Sequence, residues 1–246
     1  MDEGCIMAGS DGHIVKRYDQ QLCALKGLVL EIGQYAVEQC KDAAKALIEG
    51  DIDLARQVVS RDRDINAMDI KAQENCVELL ATRQPVASDL RFVMAMSKSV
   101  NDLERAGDEA KKLARIALKA YETADAQPSA AIFHDVGPMA EAAAASLDRA
   151  LDAIENFDVA MAVDVVQNDD KLNEMLYAGI RRLSTFLFED HRNVRFVIDA
   201  VFALKALERI GDHATNVAEQ LIYAVKGKDV RYVQADHLSG GFLDAR

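Results

Sequence analysis

Apolar residues recur three and four positions apart along most of the chain, and that spacing predicts long amphipathic helices. From Val15 the stripe runs through Tyr18, Leu22, Leu25, Val29, Ile32 and Ala36 until Glu49-Gly50-Asp51 interrupts it. It resumes at Leu54, Val58, Ile65, Met68, Ala72 and Leu79 and stops at Gln84-Pro85, because the residue before a proline is pushed out of helical geometry. A third stripe carries Leu90, Val93, Ser97, Val100, Leu103, Gly107, Ala110, Ala114, Ala117 and Tyr121. Helices of about 35 residues make rods about 50 Å long. The short breaks between them predict antiparallel neighbours, as in a bundle.

After the polar stretch Thr123 to Pro128 the pattern repeats, with helices predicted over Ile132–Glu155, Val159–Phe188 and Val194–Val225. The repeat is visible in the letters. Val58-Val59, Asp62, Asn66 and Met68 match Val165-Val166, Asp169, Asn173 and Met175 at an offset of 107. Arg91-Phe92-Val93, Leu103-Glu104-Arg105 and Gly107-Asp108 match Arg195-Phe196-Val197, Leu207-Glu208-Arg209 and Gly211-Asp212 at an offset of 104. The three lost residues fall at a helix–helix turn, where deletions are tolerated. No strand-like alternation stands out. The predicted fold is all-α: two tandem three-helix bundles related by internal duplication, over residues 13–125 and 130–227, with flexible ends at 1–12 and 233–246.

Composition narrows the function. The chain has 246 residues, is 50% hydrophobic and carries a formal charge of -12, so its surface repels phosphate backbones and nucleic acid is not an expected partner. There is no apolar run of membrane-spanning length and no signal peptide, so a cytoplasmic protein without direct membrane insertion is expected. The start is either Met1 or Met7. Cys5, Cys23, Cys40 and Cys76 have no C-x-x-C spacing and read mostly as reduced packing cysteines, with disulfides or a zinc knot as the minority reading. Met68, Met94, Met96 and Met175 read as core, and His13, His134, His191 and His237 as solvent-facing. The chain has no glycine-rich phosphate loop, dinucleotide fingerprint or nucleophile elbow. Non-catalytic function is expected.

The candidate chemistry lies in the repeated carboxylates. Glu104 and Asp108 are four apart and share a helix face beside Gly107. Like charges at that spacing repel, and a cation relieves them. Asp62 and Asn66 are also four apart, and the midpoints Asp62–Asp108 and Asn66–Glu104 both fall on Pro85, so in a hairpin the pairs lie at one level. In the second half Asp169, Asn173, Glu208 and Asp212 are likewise level about Asp190-His191. Any single acidic pair is more often a solvated face, capped here by Arg105 or Arg209. Two copies at matching levels point instead to a metal site, whose hard oxygens suit iron, manganese, magnesium or zinc. The Glu-x-x-His pairs of di-iron bundles are absent, which argues against oxidase chemistry.

The strings QPVASDLRF (84–92), NDLERAGDEA (101–110), EDHRNVRFV (189–197) and ALERIGDHATNVAEQLIYAVKGKDVRY (206–232) resemble the PhoU family of phosphate-transport accessory and phosphate-signalling proteins. The resemblance spans His13 to Tyr232. It implies a cytoplasmic homodimer that restrains the phosphate-starvation response when phosphate is plentiful. It also implies contacts with the ATPase subunit of a phosphate-specific ABC transporter and with a sensor histidine kinase. Iron or zinc clusters held through a repeated E(D)-x-x-x-D motif are implied as well, manganese or magnesium being alternatives.

That motif places metal ligands at Glu104, Asp108, Glu208 and Asp212, with Asp62 and Asp169 on the preceding helices. Asn66 and Asn173 stand where the motif has its second acid, and an amide is a weaker ligand. The two sites are expected to differ in occupancy, because Glu109 and His213 differ at equivalent positions, His213 itself reading as exposed. Asp89, in the Asp89-Leu90-Arg91 signature, reads first as a helix N-terminal charge. The rival functions are a metal-dependent phosphohydrolase and a metal-storage bundle.

Overall fold

The computed structural model describes residues 16–122, 128–189 and 194–231, and every element among them is helical. The predicted flexible ends, the 123–127 linker and the turn at 190–193 lie outside the described residues, as do Cys5, His13, His191 and His237. The helices are α1 (Lys16–Glu49), α2 (Ile52–Arg83), α3 (Ala87–Glu122), α4 (Val136–Asn156), α5 (Val159–Gln167), α6 (Asp170–Glu189) and α7 (Val194–Lys226). None is long and apolar enough to cross a membrane.

Helices α1, α2 and α3 pack on one another, and α4, α5, α6 and α7 do the same. The two groups are joined along α3 against α7 and α1 against α4. Alanines and branched side chains from all these helices form one continuous buried cluster, including Leu25, Ile32, Leu103, Leu147 and Leu207. Small residues bring the rods close. A Cβ on Gly33 of α1 would stand 2.2 Å from the side chain of Leu151 on α4, inside any allowed carbon contact. Gly50, with φ +71, turns the chain between α1 and α2 under the ring of Tyr121, a conformation that L side chains avoid.

Two predicted elements are corrected. The apolar pattern predicts one helix over Val159–Phe188, but the structure breaks it at Asn168-Asp169. The Asn168 amide and side chain both donate to the carbonyl of Asp164, at 3.2 and 2.8 Å, capping α5 there, and the Asn-Asp-Asp run favours helix ends. The fourth helix starts at Val136 rather than Ile132. Ile132 and Phe133 are buried from a turn instead, and Asp135, at the end of that turn, accepts a 2.7 Å bond from Arg182 of α6.

The cysteine reading holds for Cys40 and Cys76, which are free and buried. Burial pushes their thiols up to about 12 and about 11, so both stay protonated and inert. Cys23 departs from it, being disulfide-bonded. Met96 is fully buried, whereas Met94 is 41% exposed on the outer face of α3.

Candidate functional site

In the first half, α2 and α3 run antiparallel about the Pro85 turn, and the predicted carboxylates meet across them. Asp62 is buried on α2. The Lys111 ammonium on α3 lies 2.5 Å from Asp62 Oδ2 and 3.4 Å from Asp108 Oδ1, bridging the two acids. Hydrogen bonding to Asp62, against a smaller cost of burial, holds the Lys111 pKa above its ordinary value, so the ammonium is firmly charged. Asn66 is exposed and donates its amide to Asp62 Oδ2 at 3.2 Å, acting as a donor within the cluster. Glu104 is half-buried. Burial, then the charges of Asp108, Asp69 and Asp62, push its pKa upward.

Asp69 and Lys111 are not picked out by a four-residue spacing. Both were readable as helix-face neighbours, Asp69 two turns after Asp62 and Lys111 one turn after Asp108.

The second half uses the same frame with different chemistry. Position 215, equivalent to Lys111, is Thr215, whose hydroxyl donates 2.7 Å to Asp169 Oδ1. Asp169 sits in the break between α5 and α6. Glu208 is buried on α7, and its Oε1 accepts 2.5 Å from Lys205. Its Oε2 is buried with no hydrogen-bond partner. Asp212 is half-buried, and burial, then Glu208 and Asp169, raise its pKa. Asn173 lies half-buried on α6, one turn after Asp169.

Close approach of α2 to α3, and of α6 to α7, depends on the paired glycines. A Cβ on Gly107 would lie 2.8 Å from Ile65, and one on Gly211 would lie 2.1 Å from Leu172.

Arg209 and His213 turn away from the clusters into the α3–α7 seam. Arg209 bonds Glu109 at 3.2 Å. His213 is not an exposed histidine: it is half-buried, with Nδ1 3.0 Å from Asp102 of α3. The clusters are neutralised by lysines rather than by those arginine caps, although the Arg105 charge does draw the Glu104 pKa down. Asp89 lies in the first turn of α3 and accepts 3.1 Å from the Tyr18 hydroxyl.

The two halves fit a metal ion differently. As the side chains stand, no three carboxylate, imidazole or thiol groups among the described residues converge to hold one. In the first half, Lys111 lies between Asp62 and Asp108, where a bridging cation would bind both. Those residues fit a metal only with the ammonium moved aside. In the second half no lysine bridges Asp169, and the orphaned Glu208 Oε2 is an acceptor that a cation would satisfy. Glu208, Asp212, Asp169 and the Thr215 hydroxyl are a hard-oxygen set suited to iron, zinc, manganese or magnesium.

A duplicated helical hairpin with an acidic cluster on each half defines a tandem helical-bundle protein. Its family is set by wider likeness: the PhoU domain model matches residues 29–117 and 136–221. The chain is 40% identical over 221 residues to a phosphate-specific transport system accessory protein PhoU homolog from Pseudomonas aeruginosa, covering 90% of each protein. It is 35% identical over 226 residues to the phosphate-specific transport system accessory protein PhoU of Escherichia coli K12, covering 92% of each. The crystal structure of PhoU from Pseudomonas aeruginosa superposes with a TM-score of 0.78 at 39% identity, covering 86% of this chain and 100% of that one. The phosphate transport system regulatory protein PhoU from Streptococcus pneumoniae gives 0.77 at 27% identity, covering 87% and 99%. The chain belongs to the PhoU family.

Proposed function

We propose that this protein is a non-catalytic regulator of phosphate transport and phosphate-starvation signalling. In this reading it is a cytoplasmic homodimer linking the ATPase subunit of a phosphate-specific ABC transporter to a sensor histidine kinase, and it holds the starvation response off when phosphate is plentiful. The observation that carries the reading is likeness over nine-tenths of both chains to a protein named as a phosphate-specific transport accessory protein. The acidic clusters enter as metal-holding elements, iron or zinc first, that shape a contact surface. His213, next to Asp212 in the chain, is turned onto Asp102.

A phosphate-starvation reporter in phosphate-rich medium tests the proposal. Deleting the gene should switch the reporter on, and the wild-type chain should silence it. A variant with Glu104, Asp108, Glu208 and Asp212 all replaced by alanine should fail to silence it while keeping its helicity. A reporter that stays off in the deletion strain would overturn the regulator reading. Full silencing by the variant would remove the clusters from signalling.

A further inference from the structure

We infer that one end of the α3–α7 seam is a docking groove for an acidic, apolar-anchored segment of a partner protein, bound in non-helical form. The inference does not rest on the carboxylate clusters, with which it shares only Lys205, the partner of Glu208. The two helices run antiparallel: Asp102 meets Asn216, Glu109 meets Arg209 and Lys119 meets Asp199, so the number on one helix rises as the other falls. Past Glu109 the helices leave a groove of about 450 Å³.

In a chain with a formal charge of -12, the rim of this groove is basic: Lys112, Arg115 and Lys119 from α3, Lys205 and Arg209 from α7. Its two acids are buried and already engaged. Glu109 takes Lys112 at 2.7 Å and Arg209 at 3.2 Å, and Asp199, 2% exposed, takes Lys119 at 2.6 Å. The buried carboxylates hold the charged heads of Lys112, Lys119 and Arg209 by ion pairs, while each of these side chains stays more than half exposed. Beside them Phe202 is 60% exposed, continuing a stripe from Val194 and Ile198 on the outer face of α7. Cations flanking an exposed aromatic side chain suit a peptide with acids on either side of an apolar residue. A bare inorganic anion makes no use of Phe202.

The internal duplication shows what such a groove accepts. At the 104-residue offset, Phe202, Arg115, Ile116 and Lys119 correspond to Lys98, Glu219, Gln220 and Tyr223. Those four line the pocket at the opposite end of the same seam, and there the chain's own non-helical segment after α7 is seated. Val230 is 2% exposed while Asp229 and Arg231 line the pocket. At that end Arg231 pairs with Asp229, and its charge draws the Glu219 pKa down against the burial that raises it. At the other end of the seam the equivalent residue is Arg115, whose charge favours an acid in that place. The same seat with its charge inverted selects an acidic segment.

Fluorescence anisotropy of the full chain tests this, using a labelled twelve-residue peptide of alternating glutamate and leucine. Glutamine–leucine and lysine–leucine peptides of the same length serve as controls. The acidic peptide should bind, weaken as salt rises, and lose about tenfold or more in affinity to Arg115→Glu and to Phe202→Ser, with Arg115→Lys close to wild type. Both positions are solvent-exposed, and unchanged far-UV circular dichroism would show that the variants fold.

Five outcomes would overturn the inference. One is no binding up to about 100 µM, a range in which even weak specific contacts register; another is equal binding of the glutamine peptide. Displacement by millimolar inorganic phosphate would make the groove a small-anion site. An altered sedimentation coefficient for Arg115→Glu would make it a contact between copies of this chain. Peptide binding that appears only after residues 123–127 are replaced by glycine and serine would assign the groove to the chain's own linker, also against the inference.

Discussion

Lys111 and Thr215 hold the same place in the two halves and give their clusters opposite characters. An ammonium 2.5 Å from Asp62 supplies internally the charge compensation that the second half obtains only in part, from Lys205 at Glu208. Removing it would leave buried Asp62 without its cation, a strongly unfavourable arrangement unless another cation replaces it. On the metal-holding reading, wild-type protein at limiting iron or zinc should load the second half first, and Glu208→Ala with Asp212→Ala should remove that ion. Lys111→Thr should then raise first-half affinity by about tenfold or more, the scale of deleting one positive charge a few ångströms away. Elemental analysis after equilibrium dialysis reads both effects. Metal content unmoved by either change would dismiss the clusters as ligands. This asymmetry rests on Lys111, which touches the site, rather than on Glu109 and His213, which face the seam.

Each half's second helical segment starts in the same way. Asp51 accepts the amide of Leu54 at 2.9 Å, and Asp158, at an offset of 107, accepts that of Met161 at 3.0 Å. A carboxylate at the N-cap satisfies an amide that the helix itself leaves unpaired. Beyond the cap the two segments diverge: α2 continues for 32 residues, while α5 ends after nine at Asn168. With so short a helix behind it, the cap bears much of the order of α5. Asp158→Ala should cost about 1 kcal/mol, seen as a lower urea midpoint at unchanged slope, and Asp158→Asn should recover most of it. A loss confined to the slope would mean that the unfolded state had changed instead.

Across the whole molecule, α1 on α4 and α3 on α7 merge two bundles into one buried cluster. A shared core of this kind couples the halves. Urea unfolding followed by far-UV circular dichroism and by tyrosine fluorescence should give one coincident transition, the chain having six tyrosines and no tryptophan. Two separated transitions would show that the seams are weaker than each bundle's interior.

Amino-acid order alone specifies the helices, the turns at Gly50 and Pro85, the hairpin register and the duplication, because these arise from local periodicity and from residues with restricted backbones. It also places the carboxylates at common levels, since level depends only on counting from a turn. It does not say which cations meet which acids. Carboxylates such as Glu109 and Asp199 are solvated by default, yet the α3–α7 seam buries both. Only packing decides that, because burial is a property of two faces meeting, and the angle and distance at which long rods cross are set by side chains such as Gly33 and Leu151 that lie far apart in the chain.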